Sequence, residues 1–382
     1  MPMLETMGIS SQPPGLSPED VQAEGIVRVL GSDGSAAPYA DARVEPRELV
    51  SLYRLMLLNR ALDERMIALQ RQGRIGFYIG SIGEEATILG AAYVLRKNDW
   101  IFPAYREHGA ALLRGMPLQA FLCNLFGRGA DLVKGRQMPC HEAYRPANFA
   151  SISSPLATQL PHAVGVAWAA RYKKKDDVAL AYFGDGATSA NDFHAALNFA
   201  GVFRTATIFL CRNNQWAISV PLSKQTASSS LAVKARAYGF PGVRVDGNDL
   251  LAMIAVTRKA HERARSGQGP TLIEAITYRL QGHSTSDDPR AYRTEDEVAP
   301  WRALDPLERL KAHLCRVELW SQADEAEARR EIDEEIRRAT ALAEREGPPV
   351  LASLFEDVYA RQPWHLAEQR DEALRGAERE RE

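Results

Sequence analysis

Cysteine is scarce and scattered. The four in 382 residues, Cys123, Cys140, Cys211 and Cys315, form no C-x-x-C pair, which argues against a disulfide scaffold or a thiolate zinc site and fits a reducing cytoplasm. An excess of either charge is also missing: 47 Lys and Arg stand against 49 Asp and Glu, a net charge of -2. Nothing therefore draws the whole molecule to nucleic acid or an anionic membrane. No run reaches the roughly 18 to 20 apolar residues of a membrane helix. The start of the chain carries Glu5, Glu19, Asp20 and Glu24 among prolines and serines, without a basic segment leading into an apolar one, so it reads as neither signal nor transit peptide. These absences predict a soluble, cytoplasmic protein with a small-molecule or protein partner. No internal repeat is found.

What is present is enough apolar residue, 45% of the chain, to bury a large core in one big α/β domain or two ordinary ones. Residues 1–45, rich in Gly, Pro, Ser and Ala, read as a flexible arm. From Pro46, a favourable first helical residue, Leu49, Leu52, Tyr53, Met56 and Leu57 recur at helical spacing. Val178 to Phe183 and Thr205 to Leu210 are continuous apolar runs, the pattern of strands buried on both faces. Phe193, Ala196, Leu197 and Ala200 between them mark one face of a helix. Gly242–Val245, a helix from Asp249 to about Arg265, and Thr271–Thr277 supply another strand, helix and strand. The predicted fold is α/β, a doubly wound and mostly parallel sheet with helices on both faces. Residues 46–360 form that domain, including a charged helical C-terminal segment, and residues 361–382 a frayed charged tail.

Chemistry concentrates at two strand ends. Gly184-Asp185-Gly186 follows the first buried strand and precedes a helix whose expected cap is Ser189; the next strand ends in Arg212-Asn213-Asn214. Neighbouring parallel strands bring their carboxyl ends together, so Asp185, Asn214 and a following main-chain carbonyl can meet in one crevice. With two diphosphate oxygens they would make a hard-oxygen shell suited to Mg²⁺. The bland alternative is a turn and a helix cap; the pairing of both motifs at strand ends favours the metal-bridged diphosphate. A nicotinamide-binding Rossmann site fits worse, because Ser189 stands where its third glycine belongs and amides replace the ribose-binding acid.

Gly184-Asp185-Gly186 followed by Asn213-Asn214 resembles the motif of thiamine diphosphate enzymes. Tyr105-Arg106-Glu107, Lys134 to Pro139, Ile152 to Gln159, Arg244 to Asp249 and Gly282 to Asp288 with Ala291-Tyr292-Arg293 narrow the resemblance to alpha subunits of the decarboxylating first component of branched-chain 2-oxoacid dehydrogenases, over residues 46 to 360. It implies a thiamine-diphosphate-binding fold, with Asp185, Asn214 and the carbonyl of Trp216 holding Mg²⁺. Arg106, Arg212 and His283 would surround the diphosphate, with Gly184 and Gly186 at the motif's turn. His283 is also the implied catalytic residue, facing the reacting carbon and assisting acyl transfer. Leu156 would wedge the cofactor rings into a bent form, Ser154 and Tyr105 would line the pocket, and Ser153, the Pro155 carbonyl, Thr158 and Gln159 resemble a potassium site. For Leu156 the plain alternative is core packing, and for a histidine an ordinary structural role, the reading given to His141 and His194.

The resemblance further implies oxidative decarboxylation of a branched 2-oxo acid such as 2-oxoisovalerate, with acyl transfer to a lipoyl domain of the complex's acyltransferase. Thiamine catalysis needs a carboxylate against the aminopyrimidine ring. None can be placed here, so a separate beta subunit is expected to supply it in an α2β2 heterotetramer. The small residues Ala163, Gly165, Ala167, Ala169 and Ala170 could pack against such a partner or within the chain. The polar Ser284–Arg293 loop is expected to be mobile, and Ser284 is the residue that some relatives phosphorylate. A pyruvate- or acetoin-specific alpha subunit, and a non-catalytic cofactor-binding scaffold, are the alternatives.

Overall fold

The computed structural model describes residues 25–37 and 42–379. Its strands are β1 (Ile26–Val27), β2 (Trp100–Phe102), β3 (Ala179–Gly184), β4 (Thr207–Asn213), β5 (Trp216–Ala217), β6 (Val220–Pro221), β7 (Gly242–Asp246) and β8 (Thr271–Ile276). Six of them form one sheet in the order β1-β7-β8-β4-β3-β2, every neighbouring pair parallel, while β5 and β6 make a small antiparallel hairpin. The helices are α1 (Pro46–Arg71), α2 (Glu85–Val94), α3 (His108–Leu113), α4 (Leu118–Leu125), α5 (Gln159–Tyr172), α6 (Asn191–Phe203), α7 (Leu250–Arg265), α8 (Glu295–Arg302), α9 (Pro306–Arg316), α10 (Gln322–Arg345) and α11 (Trp364–Arg379).

The continuous apolar runs are explained by cover on both faces. Leu180 and Tyr182 of β3, with Ile208 and Leu210 of β4, join Met56 of α1, Ile88 of α2 and Met253 of α7 in one core. The alternate residues Ala181, Phe183, Phe209 and Cys211 meet Leu160 and Val164 of α5 and Phe193 and Leu197 of α6 in a second. Strand residues point alternately to opposite faces, so two apolar layers require both parities to be apolar. Among the described residues no helix is long and apolar enough to cross a membrane.

Four local expectations are corrected. Part of the expected arm joins the sheet: β1 pairs with β7, and Val29 and Leu30 are buried. Residues 1–24 and 38–41 of the arm lie outside the described ones. Asp249 secures this edge, one carboxylate oxygen accepting from the Val29 and Leu30 N–H groups at 2.6 Å each and the other capping α7 through Ala252 N–H at 3.0 Å. Ser189 does not cap α6; the cap position is Ala190, which makes no side-chain bond, and Ser189 belongs to a 3-10 turn. In α5, Ala163, Ala167 and Ala170 face the interior whereas Gly165 and Ala169 are exposed, so packing within the chain accounts for the first three. The expected frayed tail contains α11 over Trp364–Arg379.

Replacing Asp249 by alanine should free β1 while leaving the sheet centre intact. Three buried N–H groups lose an ionised acceptor, at a cost of roughly 2 to 4 kcal/mol. Hydrogen exchange should show lost protection at Val29 and Leu30 with β3 unchanged; protection retained at both amides would refute the assignment.

Candidate active site

Gly184, the last residue of β3, sits opposite Arg212 of β4 in the sheet register. Asp185 and Asn214 therefore leave adjacent parallel strands at the same end. Gly186 lets the turn after β3 approach the β5–β6 hairpin, since a Cβ there would fall 2.6 Å from that of Ala217. Closing over these strand ends is a cavity of about 350 Å³.

All ten residues expected around a cofactor line this one cavity: Tyr105, Arg106, Ser154, Leu156, Gly184, Asp185, Gly186, Arg212, Asn214 and His283. Trp216, Ser153, Pro155 and Gln159 line it too. Leu156 is 53% exposed, an aliphatic side chain presented to the cavity and not spent on the core. Thr158 is not among the residues lining the cavity; its hydroxyl donates to the Pro155 carbonyl at 3.1 Å, and Gln159 donates to the Tyr182 carbonyl at 2.7 Å. Two of the four expected potassium ligands are thus engaged with each other, and a third is tied to β3.

His283 is held from several sides. Arg106 donates through Nη2 to His283 Nδ1 at 3.1 Å and to its carbonyl at 2.8 Å, and the His283 N–H donates to Asp287 at 2.6 Å. The Tyr105 ring meets the imidazole edge-on, centroids 5.7 Å apart. A guanidinium donor at Nδ1 requires that nitrogen to be an acceptor, which leaves the proton of the neutral ring on Nε2. Burial first, then the charges of Arg106 and Arg279, push the His283 pKa down to about 3.

Because this folded pKa lies below that of an unfolded histidine, the stability contributed by the neutral ring is present above about pH 6.5. It is lost as pH falls toward about 3. In the cofactor-free protein the His283 ring should show no titration from about pH 5 to 8 in carbon-13 NMR of labelled histidine. A midpoint near pH 6.5 would contradict this environment.

The side of the cavity lined by Arg106 and Arg212 carries two guanidinium groups. Arg212 is 1% exposed; burial opposes its charge, but Glu107 and Glu84 beside it outweigh burial and hold its pKa above the usual guanidinium value. The oxygen donors are Asp185, Asn214 and the Trp216 carbonyl. Asp185 is 1% exposed, and burial pushes its pKa up to about 6, the condition of a carboxylate that a bound cation would relieve. One of its oxygens accepts from Gln225 at 2.6 Å. The Trp216 carbonyl accepts from Arg279 at 3.1 Å, which leaves it a second lone pair. A carboxylate, an amide oxygen and a carbonyl fit Mg²⁺. Among the described residues no group of three or more His, Cys, Asp or Glu side chains gathers for a softer metal.

Several contributors escaped the sequence reading. His141, read as structural, accepts or donates through Nε2 with the Ser154 hydroxyl at 2.7 Å. Arg279 ties the Trp216 and Ile218 carbonyls, and Glu107 binds the Ala104 and Arg106 N–H groups. Glu84, one of two adjacent acids ahead of an apolar helix, was readable only as a helix-end charge. Within the Ser284–Arg293 loop, Asp287 accepts from Tyr292 at 2.5 Å and Arg293 donates to the carbonyls of Arg279 and Gln281. Ser284 lines an adjoining cavity of about 260 Å³ with Arg71 and Tyr78.

Residues 53–351 match the family described as dehydrogenase E1 component, and the chain belongs to that family, whose members depend on thiamine diphosphate. Among its relatives is 2-oxoisovalerate dehydrogenase subunit alpha 2, mitochondrial, of Arabidopsis thaliana, 43% identical over 356 residues, covering 93% of this chain and 75% of the relative. The mitochondrial alpha subunit of Homo sapiens is 40% identical over 362 residues, 94% of this chain and 81% of that one. That of Caenorhabditis elegans is 42% identical over 357 residues, 93% and 83%.

Proposed function

We propose that this chain is the alpha subunit of a 2-oxoisovalerate dehydrogenase, decarboxylating branched 2-oxo acids and passing the acyl group to a lipoyl thiol. The observation that carries this reading is the convergence of Asp185, Asn214 and the Trp216 carbonyl with Arg106, Arg212 and His283 in one cavity. Relatives named for that activity match over more than nine-tenths of the chain.

In this mechanism Asp185, Asn214 and the Trp216 carbonyl would hold Mg²⁺, while Arg106 and Arg212 would spread the charge of the diphosphate. Bound thiamine diphosphate supplies a nucleophilic carbon and an electron sink for loss of CO₂. Leu156, exposed to the cavity, would pack against the cofactor rings and exclude water on that side. His283, with its proton on Nε2, would be the hydrogen-bond donor facing the reacting carbon and the group that moves a proton during acyl transfer. A lipoyl disulfide would supply the two-electron oxidant, ending as an acyl thioester on one sulfur and a thiol on the other. Ser153, the Pro155 carbonyl, Thr158 and Gln159 are the residues that would hold K⁺ and stiffen this loop.

Asp185 is the one acid lining the cavity among the described residues, and it is assigned to the metal. The carboxylate that must face the aminopyrimidine ring is therefore assigned to a beta subunit, in an α2β2 assembly whose lipoyl-domain partner enters over the His283 loop. The location proposed is the cytoplasm, which cell fractionation tests against the mitochondrial location printed for the relatives.

The test is artificial-acceptor-linked oxidation of 2-oxoisovalerate, pyruvate and acetoin by this chain with its beta partner, with and without thiamine diphosphate and Mg²⁺. Activity confined to the complete mixture and strongest with 2-oxoisovalerate is expected. Preference for pyruvate or acetoin would replace the substrate, and cofactor binding without turnover would favour a scaffold.

A further inference from the structure

Glu84 occupies the cap position of α2, yet its side chain makes no capping bond. It is fully buried, and a buried carboxylate must be satisfied by nearby donors. Its partners come from the cofactor cavity. Oε1 accepts from Asn214 Nδ2 at 3.0 Å, Oε2 accepts from Arg212 Nη1 at 2.5 Å, and Arg106 Nε lies 3.9 Å from Oε1. Asn214 is fixed from its other end as well, since its Oδ1 accepts from the Trp216 N–H at 3.3 Å.

An asparagine amide can present either an oxygen or an NH₂ group, and only the oxygen can ligate a cation. We infer that Glu84 is a positioning residue for the metal site: by holding Asn214 Nδ2 on one oxygen and Arg212 on the other, it fixes the amide with Oδ1 available to Mg²⁺. This inference rests on the assignment of Asn214 as a metal ligand. A carboxylate suits both tasks because it accepts at both ends. A glutamine in its place would accept from Arg212 with Oε1, set its own NH₂ against that of Asn214, and drive the asparagine to flip its NH₂ toward the metal.

This logic yields a donor-exchange test. In Glu84→Gln the two amides oppose each other, and in Asn214→Asp two carboxylates do. In the double variant the introduced glutamine can donate through Nε2 to the new carboxylate while its Oε1 still accepts from Arg212, so every bond is restored and an oxygen again faces the metal. The experiment is calorimetric titration of Mg²⁺, at fixed thiamine diphosphate, into the assembled complex of this chain and its beta partner. Loss of a residue that orients a metal ligand typically weakens metal binding about 10- to 100-fold. Each single variant should raise the half-saturating Mg²⁺ by that factor, and the double variant should return to within about threefold of wild type, a non-additivity that reports direct coupling.

A residue that only supports the fold would shift the melting temperature on substitution and leave the half-saturating Mg²⁺ of the assembled complex unmoved. If either single variant fails to assemble, recovery of assembly in the double variant supports the same pairing. Wild-type Mg²⁺ affinity in Glu84→Gln, or a double variant no better than the worse single, overturns the inference. Wild-type complex that binds thiamine diphosphate without any need for Mg²⁺ overturns instead the metal assignment beneath it.

Discussion

His283→Ala should lower acyl transfer to a lipoyl domain by about two to four orders of magnitude, the range lost when a positioned acid–base group is removed. The side chain reaches the cavity on a loop anchored by Arg106 and Asp287, and those main-chain contacts survive truncation to alanine. The loss should therefore fall on turnover, and thiamine diphosphate affinity should weaken far less because Arg106 and Arg212 remain. The measurement is steady-state acylation of an isolated lipoyl domain, run beside calorimetry of cofactor binding. His283→Gln keeps a donor but has no basic nitrogen, and should stay within about tenfold of the alanine variant. A variant with a third or more of wild-type turnover would remove His283 from the chemistry.

Asp185→Ala should abolish Mg²⁺-dependent cofactor binding, with an affinity loss of about 100-fold or more, because the remaining donors are neutral. The cofactor-free fold should not suffer in parallel. Asp185 is buried with its pKa raised to about 6, so at neutral pH its ionised form opposes folding. Removing it should leave the melting temperature of the cofactor-free complex unchanged or higher, while the rise that Mg²⁺ and thiamine diphosphate give the wild type disappears. A functional group held against the preference of the fold shows this separation. Undiminished cofactor-induced stabilisation in Asp185→Ala would place the metal elsewhere.

The sheet and the two strand-end motifs were legible because they follow from local rules. Buried parallel strands are apolar at both parities, as Val178 to Phe183 is, and glycine and amide residues just past a strand end mark a crevice. What escaped was set by contacts distant in sequence. Ile26–Val27 is two residues long, too short to show a period, and becomes a strand only through β7, more than two hundred residues on. His141 looked ordinary until the fold set it against Ser154. Glu84 and Asn214 are separated by 130 positions, so no spacing rule joins them. The Ser189 cap failed for a local reason, since a 3-10 turn after Gly184 carries the chain one residue further before the helix begins.

The pairing of β1 with β7, clamped by Asp249, also decides where this chain can be shortened. Starting it at Gly25 keeps the two-residue β1 as the edge strand over β7. Starting it at Pro46 strips β1 away and bares the N–H and C=O groups of β7, an open edge on which other chains can stack. Material of the second kind should precipitate or elute as large aggregates in gel filtration while the first stays dispersed. The few residues that look most dispensable in the sequence thus protect the protein from itself.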